Sequence, residues 1–121
     1  MRALTLCLVL LTGATASAQD AVDFERDVLP ILKESCFKCH SGQAKKLKSN
    51  LRLDGKDWIL LGGDYGGVIA PGDAPGSSLY ELTSLPADDP DVMPPKGETL
   101  SKTELATIRR WIEAGADFGS S

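Results

Sequence analysis

The chain has 121 residues, which is enough for one small domain. Hydrophobic residues make up 42% and charged residues 25%, a composition that argues against disordered, collagen-like and coiled-coil chains. The formal net charge of −4 argues against nucleic acid as a partner. A core this small is expected to need an additional source of stability, such as a covalent crosslink or a cofactor.

The first eighteen residues are predicted to be a secretory signal peptide. Arg2 supplies a positive charge, residues 4–11 form an almost unbroken apolar run, and the Ala-Ser-Ala at residues 16–18 fits a cleavage site. The run is shorter than the ~20 apolar residues that span a membrane. We therefore expect export to the periplasm, a mature domain at residues 19–121 and no stable membrane anchor after cleavage. Retention of the leader as an anchor is the alternative.

The first half of the mature chain is predicted to contain short helical segments and long loops. A helical turn is predicted at residues 24–29 and a helix at residues 30–38, because the proline at residue 30 suits a first helical turn. Residues 41–57 are polar and rich in lysine, and residues 62–78 are rich in glycine. Both of these segments are predicted to be loops.

The second half is predicted to begin with one short helix. Ser78 and Glu81 form a candidate capping box, and the helix would run through Leu82. Residues 87–97 contain several prolines and glycines and are predicted to be irregular.

The last predicted helix carries the clearest pattern in the chain. Ser101 and Glu104 form a capping box, and Gly115 lies where the helix should end. Its apolar residues recur at helical spacing and predict one buried face: Leu105, Ile108, Trp111 and Ile112. Phe24 and Val28, near the start of the mature chain, lie one helical turn apart. No segment has convincing strand alternation, so the predicted fold class is all-α.

The sequence Cys-Phe-Lys-Cys-His at residues 36–40 carries the predicted chemistry. In an exported protein, a C-x-x-C-H run is typical of a covalent haem attachment site. Cys36 and Cys39 would lie one helical turn apart, so both sulfurs could reach the two vinyl groups on one porphyrin edge. His40 follows directly and could bind the iron as the proximal ligand. The predicted cofactor is one covalently attached haem c with its iron.

Three other functions of this motif fit the sequence less well. A structural zinc site needs about four cysteine or histidine ligands, and the mature chain would offer three adjacent ones. A thioredoxin-like redox pair would need a βαβ context, which the sequence lacks. A structural disulfide between Cys36 and Cys39 would leave His40 unexplained. Haem attachment therefore remains the favoured interpretation.

Met93 is the candidate for the sixth ligand of the iron. His40 is the one histidine of the chain, so two histidines from one chain cannot bind the iron, and Met93 would be the one methionine left after leader cleavage. Two prolines follow Met93 and stiffen the loop that would hold its sulfur. A methionine that merely fills the core is the alternative. His/Met ligation raises the reduction potential and favours electron transfer over small-ligand chemistry.

An ordered set of short motifs gives the chain a family resemblance. The motifs are FERDVLPIL at 24–32, CFKCH at 36–40, LRLD at 51–54, GG at 62–63, PGD at 71–73, SSL at 77–79, MPP at 93–95 and WIEAGA at 111–116. The set resembles the planctomycete-type cytochrome c domain. This resemblance implies a class I-like cytochrome c fold, terminal helices packed beside one haem c, and His40 and Met93 as axial ligands. Many relatives carry further modules, so this shorter chain is expected to act as a stand-alone carrier.

Several polar residues are weaker candidates for a role at the haem. Arg52 could pair with a haem propionate and Trp58 could donate its indole N–H to it, although a solvated arginine and a packed tryptophan are the commoner outcomes. Two charged groups could orient a partner protein, although a solvated surface is the usual outcome for such runs. They are Lys45, Lys46 and Lys48 after the motif, and Asp88, Asp89 and Asp91 before Met93.

The predicted function is single-electron transfer in the periplasm by a small c-type cytochrome, with redox proteins as its partners. One alternative is a haem-based sensor or a peroxidase-like enzyme, in which Met93 is absent from the iron or labile. Another is a haem subunit that works only when docked on a larger dehydrogenase.

Overall fold

The computed structural model describes residues 21–95 and 97–119, and over those residues the regular secondary structure is helical. The elements are a π-helical turn at Phe24–Val28 and the α-helices α1 (Leu29–Ser35), α2 (Lys56–Leu61), α3 (Ser78–Thr83) and α4 (Lys102–Glu113). These helices agree with the predicted all-α class. None of the helices in the described ranges is long and apolar enough to cross a membrane. The predicted signal peptide at residues 1–18 lies outside the described residues.

The first helix ends earlier than the sequence pattern predicts. Pro30 lies in the first turn of α1, as expected. The helix does not reach Lys38, however, because the backbone N–H groups of Cys36 and Phe37 both donate to the carbonyl oxygen of Leu32, at 2.8 and 3.1 Å. This shared acceptor closes the helix at its last turn. The C-x-x-C-H motif therefore lies in the turns that follow α1 and not inside the helix.

The sequence pattern does not predict helix α2, whose first two residues fall at the end of the polar segment 41–57. The helix has six residues, and of these Ile59 alone is buried, with 1% of its surface exposed. Gly55 precedes the helix without a side-chain cap. A helix this short has neither the apolar repeat nor the capping residue that sequence patterns rely on, so its contact with the core is what stabilises it.

The predicted capping box of α3 is wrong. Ser78 is the first residue of the helix, and no side chain caps its N-terminus. The residue in the cap position is Ser77, which is fully buried and whose hydroxyl is used elsewhere. That hydroxyl accepts a hydrogen bond from the Ala70 N–H at 2.8 Å and donates to the Asp73 carbonyl at 2.8 Å. Ser77 thus ties the glycine-rich loop to the start of α3.

Both ends of α4 agree with the sequence prediction. The Ser101 hydroxyl accepts from the Glu104 N–H at 3.1 Å, and the Glu104 carboxylate accepts from the Ser101 N–H at 2.9 Å. After the last turn, Gly115 has a φ of +110°, a conformation that favours glycine. This turn lets the Ala116 N–H donate to the Trp111 carbonyl at 2.9 Å, which completes a Schellman motif.

Three aromatic rings join the two ends of the described chain. Trp111 lies with its ring centroid 5.3 Å from that of Phe24 and 5.1 Å from that of Phe118. Its indole N–H donates to the Asp117 carbonyl at 2.7 Å, so the polar atom of this buried side chain is satisfied. The predicted packing of the first helical turn against the last helix is confirmed by these contacts.

Replacing Trp111 with alanine is expected to lower the free energy of unfolding by about 3–5 kcal/mol, the usual cost of truncating a buried aromatic side chain. Chemical denaturation measures this loss. The control is Tyr65→Ala, because Tyr65 is 92% exposed and its truncation is expected to change stability by no more than about 0.5 kcal/mol. Equal losses for the two variants would contradict the packing described here.

Candidate functional site

A cavity of about 520 Å³ opens between the end of α1, helix α3 and the loop around residue 93. Its volume lies within the roughly 300–1,000 Å³ of typical cofactor sites. Cys36, Cys39, His40 and Met93 all line it. More than fifty residues of sequence separate the first three side chains from Met93, and the fold brings all four to one cavity.

The C-x-x-C-H motif reaches this cavity from a hydrogen-bonded turn. The carbonyl oxygen of Cys36 accepts from the Cys39 N–H at 3.2 Å and from the His40 N–H at 2.9 Å. These bonds keep the spacing of one helical turn between the two cysteines, although α1 has already ended. The arrangement can present both sulfurs and the imidazole to one ligand.

Burial favours the uncharged form of the Cys36 sulfur. The side chain is buried, and this burial raises the pKa of the Cys36 thiol to about 11. Zinc binds cysteine as a thiolate, whereas a thioether bond to a porphyrin leaves the sulfur uncharged. In addition, the described part of the chain contains no group of three or more His, Cys, Asp or Glu side chains that could hold a metal ion. The donor set therefore fits a covalent haem better than a zinc ion.

The tautomer of His40 follows from its hydrogen bond. The Nδ1 atom lies 3.1 Å from the carbonyl oxygen of Leu51. A carbonyl can only accept, so Nδ1 must carry the proton and donate it. In the neutral imidazole with this tautomer, Nε2 has a lone pair for a metal. A hydrogen bond of this kind is the usual way in which proteins orient a ligating imidazole and raise its basicity.

Met93 lies at the edge of the cavity and not in the core. Met93 is 39% exposed, while its neighbours Val92 and Pro94 are buried. The Met93 N–H donates to the Leu82 carbonyl at 3.0 Å, which attaches the loop to the end of α3. These contacts argue against the alternative in which Met93 merely fills the core.

Arg52 and Trp58 do not line the cavity. Arg52 instead donates to the Asp54 carboxylate through Nε at 2.9 Å and Nη2 at 2.8 Å. Its guanidinium carbon lies 3.9 Å from the ring centroid of Trp58. The hydrogen bond from Arg52 lowers the pKa of the Asp54 carboxyl to about 2. Contacts of Arg52 and Trp58 with a haem propionate stay predictions.

The two charged groups differ in their relation to the cavity. Of the three lysines after the motif, Lys48 lines the cavity, as does Lys38 within the motif. Lys45, Lys46 and the three aspartates before Met93 lie elsewhere on the described surface.

Helix α3 contributes to the cavity wall, which the sequence patterns do not indicate. Leu79, Leu82 and Thr83 line the cavity from this helix, and Val68 joins them from the preceding loop. The spacing of the first three residues places them on one side of a helix. That spacing was visible in the sequence, but nothing in it indicated that this side faces the same ligand as the motif.

Comparison with known proteins found a family match and a similar solved structure. The model of a family described as Planctomycete cytochrome C matches residues 36–97, just over half of the chain, and the match includes the motif and Met93. No curated protein matches the chain. Among solved structures, Kuenenia stuttgartiensis hydrazine synthase is similar, with 29% sequence identity over 79% of this chain and a TM-score of 0.47. The similar region makes up 16% of that protein's chain.

Proposed function

Because the chain belongs to the planctomycete cytochrome c family and is thus a haem c protein, we propose that it carries single electrons in the periplasm with one covalent haem. The observation that supports this most directly is the shared cavity. It brings two thiols, one imidazole with a free Nε2 and one thioether to the same space. No other described cavity residue is a cysteine, histidine or methionine.

The residues of the cavity have separate roles in this proposal. Cys36 and Cys39 would hold the haem through their sulfurs. His40 would bind the iron through Nε2, and the Leu51 carbonyl would keep the ring in the required tautomer. Met93 would supply its sulfur as the second ligand of the iron. When bound, the haem supplies the one-electron chemistry of its iron.

The surroundings of these ligands favour electron transfer over catalysis. A thioether at the sixth position leaves no site for oxygen or peroxide and raises the potential relative to histidine alone. The apolar side chains of α3 and the two prolines after Met93 line the cavity beside these ligands. The protein would therefore set the potential and exposure of the haem and leave the redox change to the iron.

The alternative of a sensor or a peroxidase-like enzyme rests on one observation. Met93 is 39% exposed and lies in a loop, so it could leave the iron more easily than a buried ligand. A role as the haem subunit of a larger dehydrogenase would use the same four ligands.

Optical spectra of the purified holoprotein, oxidised and reduced, test the proposal. We expect one haem per chain that resists extraction into acidic solvent, and a charge-transfer band of Fe(III) with a methionine ligand. A high-spin spectrum would instead favour the sensor or enzyme, and a chain that retains no haem would contradict every haem-based function. The mass of the exported chain tests cleavage after Ala18.

A further inference from the structure

One short segment, residues 51–54, holds the backbone and the ring of His40. The imidazole donates to the Leu51 carbonyl at 3.1 Å, and the Leu53 N–H donates back to the His40 carbonyl at 2.8 Å. Two residues after His40, the Gly42 N–H donates to Oδ2 of Asp54 at 3.0 Å. The position of the imidazole therefore depends on the conformation of this segment.

The segment is held in turn by the side chains of Arg52 and Asp54. The guanidinium forms two parallel hydrogen bonds with the carboxylate, at 2.9 and 2.8 Å. Bidentate pairs of this kind are stronger and better defined in geometry than single charged contacts. Asp54 Oδ2 accepts from both Arg52 and Gly42, so one oxygen links the ion pair to the loop after His40.

Trp58 and Gly42 confine the guanidinium. It lies over the Trp58 ring, with a distance of 3.9 Å from its carbon to the ring centroid. A Cβ atom at position 42 would come within 2.6 Å of Arg52 Nη2, so the guanidinium occupies the space that any larger residue would need. The side chains of Arg52 and Asp54 are 26% and 19% exposed, against 59% and 29% for the surface pair of Arg26 and Asp27.

We propose that Arg52, Asp54 and Trp58 are positioning residues for His40 and thereby set the reduction potential of the haem. The proposal rests on the proposed function, in which His40 binds the iron. A well-aligned hydrogen bond from Nδ1 to a carbonyl makes Nε2 more electron-rich, and an electron-rich ligand stabilises ferric iron. We call Arg52, Asp54 and Trp58 the positioning cluster. If a substitution breaks the contacts of this cluster, the Leu51 carbonyl moves relative to the imidazole ring. The hydrogen bond from Nδ1 then weakens and the reduction potential rises.

The sign of the shift separates positioning from a direct effect of charge. If the two side chains acted only through their charges, removing the carboxylate would raise the potential and removing the guanidinium would lower it. Positioning predicts instead that Asp54→Asn and Arg52→Gln both raise the potential. Gly42→Ala changes no charge and displaces the guanidinium, so it is expected to raise the potential as well. Arg52→Lys keeps the charge but loses the bidentate geometry, and we expect a rise there too.

The test measures the reduction potentials of the wild-type holoprotein and these variants by redox titration. Arg26→Gln and Asp27→Asn are the matched controls, since they alter an ion pair that has no hydrogen bond to the His40 segment. We expect upward shifts for all cluster variants that clearly exceed those of the controls. In the double variant Arg52→Gln/Asp54→Asn, the reduction potential should shift by less than the sum of the two single shifts, because each single substitution already breaks the same ion pair.

A second measurement reads the imidazole directly. In a Met93→Ala background, the iron–histidine stretching frequency of the ferrous protein reports the strength of the Nδ1 hydrogen bond. This frequency should fall in the cluster variants and stay unchanged in the controls.

Opposite potential shifts for Asp54→Asn and Arg52→Gln, with an unchanged frequency, would overturn the proposal. Loss of haem from every cluster variant would also count against it, since the cluster would then serve folding. Failure of the wild type to bind haem would instead contradict the proposed function.

Discussion

Replacing Met93 with alanine is expected to leave the haem attached and to lower the reduction potential. Cys36, Cys39 and His40 are untouched by this change, so attachment and the proximal ligand should remain. The thioether stabilises ferrous iron, and its loss should move the potential down within the roughly 0.8 V that axial ligands span. The open sixth position should then bind carbon monoxide, which the parent protein should resist. Redox titration and carbon monoxide difference spectra measure the two effects.

Two further variants sharpen this result. Glu98→Gln alters the same cavity without removing a thioether, and we expect it to resist carbon monoxide as the parent does. Met93→His should restore a six-coordinate iron if the loop allows the shorter bond of an imidazole. If the parent and Met93→Ala share one potential and bind carbon monoxide equally, Met93 is not a ligand. The sensor or enzyme function would then replace the electron carrier as the favoured interpretation.

Replacing Cys36 and Cys39 together with alanine is expected to abolish a stable holoprotein and to leave the chain largely unfolded. Without the cofactor, the apolar side chains that line the cavity of about 520 Å³ have no partner to pack against, and a domain of this size has little other core. The total stability of an ordinary domain is only ~5–15 kcal/mol, so the loss of this packing should be decisive. A chain without the cofactor should therefore lack the stability to fold.

Circular dichroism and thermal melting of the double variant measure this expectation. Ser35→Ala serves as the control, because Ser35 lines the same cavity beside the motif and has no part in attachment. This control should retain haem and melt cooperatively. A compact, cooperatively melting chain that lacks both cysteines and haem would show that the cofactor is not needed for the core.

Local patterns in the sequence were sufficient wherever a few neighbouring residues carry the whole interaction. The capping box of Ser101 and Glu104 lies within four residues, and the apolar repeat of α4 lies on one helix, so both could be predicted. The packing of Phe24 on Trp111 was expected from the family resemblance, which implies that the terminal helices pack together. The haem motif is local in the same sense, since its three side chains lie within five residues.

The tertiary structure decided the features that depend on distant partners. Helix α2 forms without a cap and with Ile59 as its single buried residue. Ser77 gives its hydroxyl to a loop and not to the helix that it precedes. Met93 shares a cavity with His40, and Arg52 binds Asp54 while it stacks on Trp58.

The physical reason for this division is the range over which the competing interactions act. Backbone propensity and helix capping depend on a few adjacent residues. The sequence alone therefore determined the all-α pattern, α4 and the haem motif. A hydroxyl or a guanidinium can satisfy its hydrogen bonds with many partners of similar energy. Which partner it takes depends on where the rest of the chain packs, and only the tertiary structure decided that for Ser77, Arg52 and the wall of the cavity.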